Sequence, residues 1–174
     1  MKIGIMGKMC SGKSTLANTI KIMNPSFNIY SFGKGVKDIA YEYFNMKQKD
    51  RSLLVNIATN MKSIDPDVWI KHTMKTITSE HCIIDDVRHQ NELDYLIKHG
   101  WHIIYLYVDD ITQKQRIKKI YPDTYQDHLQ NRQDISERCD TLQYPPNFQP
   151  LYIDSREDVK KIHMTIRSFI DKNL

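Results

Sequence analysis

An α/β fold built on a parallel sheet is predicted by three features of the 174-residue chain. Short apolar runs alternate with segments whose apolar residues recur at helical spacing, the pattern of right-handed βαβ units. The first apolar run leads straight into a glycine-containing loop and then a helix. No repeat, low-complexity tract or linker interrupts the alternation, and the length suits one compact domain.

Lys2-Ile3-Gly4-Ile5-Met6 reads as a buried strand that ends at Gly7. Leu16, Ala17, Ile20 and Met23 then mark a helix from Lys13 to Met23, stopped by Asn24-Pro25. Phe27 to Phe32 reads as a second strand, and Val36, Ile39, Ala40, Tyr43 and Phe44 as one face of a helix. Leu53, Leu54, Ile57, Ala58 and Met61 form the stripe of the next helix. Asp65-Pro66 is expected to open another, with an acidic cap and proline at the first helical position.

Cys82 to Asp85 is the third strand, followed by a helix through Leu93, Leu96 and Ile97 to Gly100. Ile103 to Val108 is the fourth strand, and a basic helix covers residues 112–121. Residues 121–149 are polar and punctuated by proline. Pro150 to Ile153 is the fifth strand. Ser155 to Asp158 has the form of a capping box ahead of a helix carrying Val159, Ile162, Ile166, Phe169 and Ile170. In such a sheet, ligands bind beyond the carboxyl ends of the strands.

Composition narrows the function classes. A net charge of +4 suits anionic ligands but is too small for a nucleic-acid footprint without clustering. The three cysteines, Cys10, Cys82 and Cys139, show no C-x-x-C spacing, so a reducing compartment is expected. The N-terminus carries no signal-peptide pattern and no apolar run approaches a membrane span. A cytoplasmic location is the expectation.

Chemistry concentrates first in Gly7-Lys8-Met9-Cys10-Ser11-Gly12-Lys13-Ser14-Thr15, which fits G-x-x-x-x-G-K-[ST] between a strand and a helix. The motif calls for backbone N–H groups around a β-phosphate at a helix N-terminus. Lys13 is expected on the β- and γ-phosphate oxygens, and the Ser14 hydroxyl on Mg²⁺. Cys10 has two readings: a thiol activated by the loop amides, or a small side chain tolerated in a turn.

A second site follows from Asp85-Asp86-Val87-Arg88 at the end of the third strand. An acid there holds Mg²⁺ through its water shell, and an arginine two residues on reaches a phosphoryl group. Asp86 is preferred to Asp85, because it stands nearer the arginine and neighbouring strand residues point to opposite faces. On the basic helix, Lys114, Arg116, Lys118 and Lys119 are either a solvated face or part of a lid whose arginines neutralise phosphate charge. Arg132 and Arg138 are further lid candidates.

These residues resemble the phage- and virus-type deoxynucleoside monophosphate kinases, a branch of the P-loop nucleoside monophosphate kinases. The resemblance runs from residue 1 to about residue 171. It rests on Ser31-Phe32 with Lys34 and Lys37-Asp38-Ile39-Ala40, on Lys49-Asp50-Arg51, and on Asp65-Pro66-Asp67-Val68-Trp69-Ile70. It rests further on Asp86-Val87-Arg88 with Asn91-Glu92, and on Ile135-Ser136-Glu137. The chain departs from the family pattern at Ala58-Thr59, Lys62 and Asp134.

The resemblance implies ATP- and Mg²⁺-dependent phosphorylation of a (deoxy)nucleoside monophosphate, and a viral source whose protein works in host cytoplasm. It implies an acceptor site containing Phe32, Lys34, Lys37, Arg51, Trp69, Arg88, Asn91 and Glu92, with an aromatic ring stacked on the base. Lys13, Asp86, Arg88 and Arg116 are the expected catalytic set. Two other readings stay open. One is a P-loop kinase of another small phosphorylated acceptor, such as phosphomevalonate or dephospho-coenzyme A. The other is a non-catalytic nucleotide-binding module, although no N-K-x-D segment for guanine is present.

The expected architecture is one domain over residues 1–174, of P-loop nucleoside-monophosphate-kinase type. It has a five-stranded parallel sheet in the order 2-3-1-4-5 with helices on both faces. The acceptor region covers about 31–80 and the lid about 110–145. Small-molecule nucleotides are the expected partners, with a homodimer open and neither nucleic acid nor membrane expected.

Overall fold

The computed structural model describes residues 1–130, 132 and 137–174. Its centre is β1 (Lys2–Met6), flanked in a five-stranded sheet of order β2-β3-β1-β4-β5. The other strands are β2 (Asn28–Tyr30), β3 (Cys82–Val87), β4 (His102–Tyr107) and β5 (Leu151–Asp154). Every pairing is parallel, as the alternation of strands and helices requires. The predicted strand order is the one observed.

Period-two alternation along β1 divides the core. Ile3 and Ile5 face α1 (Lys13–Met23) and α8 (Val159–Asn173), where Leu16, Ala17, Ile20, Ile166 and Ile170 are buried. Met6 faces the other side with Ile84 and Ile103, against Leu93 and Leu96 of α5 (Gln90–Lys98). A third apolar cluster lies away from the sheet. It joins α2 (Gly33–Phe44), α3 (Arg51–Ile64) and α4 (Val68–Thr76) around Val36, Ala40, Ile57 and Trp69. Two further helices, α6 (Asp110–Ile120) and α7 (Tyr125–Gln130), follow β4. No helix among the described residues is long and apolar enough to cross a membrane.

Several boundaries differ from expectation for local reasons. β2 is three residues long, because the chain turns into α2 as soon as Ser31 is passed. α4 begins at Val68 rather than at Pro66. Asp65 instead closes α3, and its Oδ1 accepts from the Asp67 amide at 3.0 Å, so the acid organises the turn between two helices. Before α8 the cap is Asp158, whose side chain accepts from the Lys160 amide. Ser155 makes no capping box; its hydroxyl accepts from Arg116 instead.

Candidate functional site

The loop between β1 and α1 is shaped by backbone conformations that few residues tolerate. Gly12 sits at φ 101°, and a Cβ on Gly7 would lie 2.4 Å from the Leu106 carbonyl oxygen. Cys10 also adopts positive φ, at 60°. Lys13 follows at the start of α1, and its ammonium donates to the carbonyls of Gly7 at 2.6 Å and Lys8 at 2.8 Å. Burial, reinforced by the Arg88 charge, brings its pKa down to about 8. Burial also pushes the Cys10 thiol up, against the reading that loop amides activate it.

The loop opens onto a cleft of about 610 Å³ at the carboxyl edge of the sheet. On the loop side it is lined by Met9, Cys10, Gly12, Lys13, Ser14 and Thr15. The floor is Asp85, Asp86 and Arg88 at the exit of β3. Lys37 of α2, Lys49, and Arg51 at the start of α3 also line it, together with aliphatic Val36, Leu54 and Ala58. The lining thus gathers cations from the loop and from the α2–α3 segment, with the carboxylates of Asp85, Asp86 and Glu137 among them. Burial, together with the charges of Arg51 and Lys37, lowers the pKa of Lys49.

Asp85, rather than Asp86, meets the loop: Ser14 Oγ donates to Asp85 Oδ2 at 2.8 Å. Burial raises the Asp85 pKa, and the Ser14 hydrogen bond pulls it back. Asp86 faces β2. Its Oδ1 accepts from the Phe32 amide at 2.7 Å, and its Oδ2 from the Gly33 amide at 2.8 Å and Ser31 Oγ at 2.7 Å. That carboxylate fixes the N-terminus of α2. The register explains why strict alternation misled. Gly4 pairs with Ile84 and Met6 with Val87, so β3 holds one extra residue against β1. This β-bulge lets both acids line one cleft.

Of the expected acceptor residues, Lys37, Arg51 and Arg88 line the cleft. The others lie elsewhere. Phe32 is buried in the sheet core and Trp69 in the α2–α3–α4 cluster, its indole NH 3.4 Å from the Ala58 carbonyl. Lys34 pairs with Asp38 one turn on, at 2.6 Å. Asn91 Nδ2 donates to the Pro66 carbonyl at 3.1 Å and to Asp67 Oδ1 at 2.9 Å, tying α5 to the turn before α4. Glu92 Oε2 accepts from the amides of Arg88 at 2.8 Å and His89 at 3.0 Å, a capping box for α5. Burial raises its pKa to about 7.

The expected lid arginines are also committed. Arg116 donates to the Ser155 carbonyl at 2.7 Å, to Ser155 Oγ at 2.9 Å, and to the Cys10 and Ser11 carbonyls at 3.3 Å. It pins α6 to the back of the loop and to the turn after β5, away from the cleft lining. Arg132 donates to Gln113 Oε1 at 2.7 Å and pairs with Asp110 at 2.7 Å. Gln113 in turn donates to the Met9 carbonyl at 2.9 Å. Lys8 points the same way, 3.2 Å from Asp140. Arg138 precedes the short 3-10 turn Cys139–Thr141, whose Thr141 amide bonds its carbonyl at 3.0 Å. Asp134, Ile135 and Ser136 lie outside the described residues.

Glu137, by contrast, enters the cleft. Its Oε1 accepts from Arg88 Nη1 at 2.7 Å and its Oε2 from the Met9 amide at 2.5 Å. The charges of Glu137 and Asp86 keep the Arg88 pKa above its usual value although burial works against it. Sequence reasoning assigned no role to Glu137, Lys49 or Asp85. Lys49 and Glu137 do stand inside the motif segments already singled out, and that was the available signal.

A family model described as AAA domain, AAA_18, matches residues 3–139. The chain belongs to this AAA-domain family. No curated protein matches it. Among solved structures, this AAA-family chain is similar to a gluconokinase from Sinorhizobium meliloti 1021, at 14% identity and TM-score 0.57, covering 98% of this chain and 91% of that one. It is similar to a deoxyadenosine kinase from M. mycoides with products dCMP and dCDP bound, at 20% identity and TM-score 0.52, covering 99% and 100%. It is also similar to the Mycobacterium tuberculosis APS kinase in complex with AMPPNP and APS, at 8% identity and TM-score 0.54, covering 98% and 96%. At these identities the likeness is one of fold: this AAA-family member has a P-loop kinase-like architecture.

Proposed function

We propose that this chain is an ATP-dependent kinase that transfers the γ-phosphoryl group to the phosphate of a (deoxy)nucleoside monophosphate. The observation that carries the reading is the cleft's pair of cationic walls. Lys13 lines the cleft from the start of α1, Lys37, Lys49 and Arg51 from α2 and around the start of α3, and Arg88 from the exit of β3. A sugar or alcohol acceptor would need one cationic wall; an acceptor that is itself a phosphate calls for two. The aliphatic surface of Val36, Leu54 and Ala58 beside the second wall suits the face of a base, in place of the aromatic stack expected from the sequence. The similar kinase folds add weight to phosphoryl transfer and say nothing about the acceptor.

Little covalent chemistry falls to the protein in such a transfer; its part is positioning and charge neutralisation. Lys13 and the loop amides hold the donor phosphates. Lys37, Lys49 and Arg51 hold the acceptor phosphate, and Arg88 lies where charge develops. Ser14 and Asp85 offer a hydroxyl and a carboxylate oxygen that already converge, a hard donor pair suited to Mg²⁺. When bound, Mg²⁺ would neutralise phosphate charge, with the remaining ligands coming from phosphate and water. No cluster of three His, Cys, Asp or Glu that could hold a metal occurs among the described residues.

The two-wall reading is tested with a bisubstrate analogue, two nucleosides joined by five phosphates. It loses translational freedom once while engaging both walls, so it binds more tightly than ATP or the monophosphate. Calorimetry at one Mg²⁺ concentration reads this. Equal or weaker affinity would mean that the second wall is not an acceptor site.

A further inference from the structure

Glu137 lines the cleft, and the proposed transfer gives it no part. Its side chain is 2% exposed, so the carboxylate is withdrawn from water. Its partners are the Met9 amide of the phosphate loop and the Arg88 guanidinium at the floor, at 2.5 and 2.7 Å. An amide of a glycine-containing loop and a guanidinium are the two donors that recognise phosphate oxygens elsewhere in proteins. A carboxylate meets the same two donors with the same charge sign and the same acceptor chemistry.

The loop lysine is likewise turned inward, onto the Gly7 and Lys8 carbonyls. Lys13, the Met9 amide and Arg88 are thus satisfied from within the chain. A phosphoryl anion brought against this buried carboxylate would meet a like charge at short range in a medium of low dielectric constant. The two anions compete for one place.

We propose that Glu137 is an internal competitor of the phosphoryl group, holding the Met9 amide and Arg88 until a polyphosphate displaces it. This rests on the reading of the cleft as a phosphate site. Only molecules whose carboxylate has left this place bind, so the apparent dissociation constant of a polyphosphate is the intrinsic one divided by the fraction in that open form. Binding then requires the carboxylate to move off Arg88, which couples occupation of the donor site to release of the arginine for the transfer.

The test uses the whole chain and inorganic tripolyphosphate, titrated by calorimetry into wild type, Glu137→Gln and Lys13→Ala, with thermal melting to establish that each variant is folded. Glu137→Gln is expected to bind about tenfold more tightly than wild type, the change that follows if about one molecule in ten is open at rest. A folded Glu137→Gln that binds equally or less tightly overturns the competitor and makes Glu137 a support for Arg88. If Lys13→Ala binds as wild type does, the phosphate-site reading itself has failed, and the competitor falls with it. Wild type supplies an independent check, since tripolyphosphate is expected to speed amide hydrogen exchange over residues 137–142. Slowed or unchanged exchange contradicts displacement.

Discussion

Ser14 Oγ donates to Asp85 Oδ2 across 2.8 Å, linking the first turn of α1 to the bulge of β3. The neighbouring Asp86 uses both carboxylate oxygens to hold the start of α2. On the proposed function, the two adjacent acids divide a chemical and a structural task.

This division has separable consequences. Asp85→Asn is expected to lower kcat by about a hundredfold, the scale of losing one preorganised charged group, with melting unchanged within a few degrees. Asp86→Asn is expected to cost about 2 kcal/mol of stability, because it weakens charge-assisted bonds to two amides and a hydroxyl. Steady-state kinetics and denaturant unfolding on both variants check the assignment. The opposite pattern would restore Asp86 to the metal site.

Lys13 carries a pH signature. With its pKa near 8, the ammonium loses its proton as pH rises from 7 to 9. ATP affinity is expected to weaken about tenfold per pH unit above 8, since the free protein must take up a proton to bind phosphate. Lys13→Ala is expected to stay folded, bind ATP weakly at every pH without this slope, and lack transfer activity. Calorimetry across pH 7 to 9 reads the slope, and near-wild-type turnover in the variant would remove the loop from the mechanism.

Glu92 gives a pH signature in stability rather than in binding. Its folded pKa of about 7 lies above the ordinary carboxylate value of 4.5. The folded state therefore binds more protons between those values, and stability falls as pH rises from 4.5 through 7. Its contribution is fully present below 4.5. Glu92→Gln is expected to flatten this part of the profile, as followed by melting temperature at fixed ionic strength.

The aromatic residues and the basic wall separate just as cleanly. Trp69→Phe is expected to lower stability by roughly 1–3 kcal/mol through imperfect filling of the α2–α3–α4 cluster, with the KM for a monophosphate unchanged. Lys49→Met is expected to raise that KM about tenfold or more, because it removes one charge from the acceptor wall while keeping the aliphatic stem. A raised KM in Trp69→Phe would bring the indole back into the acceptor site.

How much of this was legible in the sequence depends on the range of the interactions. The strand order and the phosphate loop are written in local patterns: apolar runs such as Ile3 to Met6, and glycines spaced around Lys13. The roles of Asp85 and Asp86 depend on a one-residue bulge against β1, which period-two reasoning cannot detect. Phe32 and Trp69 looked like base-stacking rings, but whether an aromatic faces a core or a cleft is decided by helices far away in sequence. Arg116 looked like a lid residue because its helix is basic, yet its partner Ser155 lies 39 residues on. Glu137 joins Met9 across 128 residues, and the Ile135-Ser136-Glu137 segment marks the residue but not its partner.

The central claim, transfer from ATP to a nucleoside monophosphate, is tested most directly by supplying ATP, Mg²⁺ and each nucleoside and deoxynucleoside monophosphate in turn, and following the products by chromatography. The account predicts that at least one monophosphate is converted to its diphosphate with stoichiometric ADP, at a kcat/KM of about 10⁴ M⁻¹s⁻¹ or more. ADP formed at one slow rate whatever monophosphate is present, with no diphosphate product from the acceptor, would contradict it.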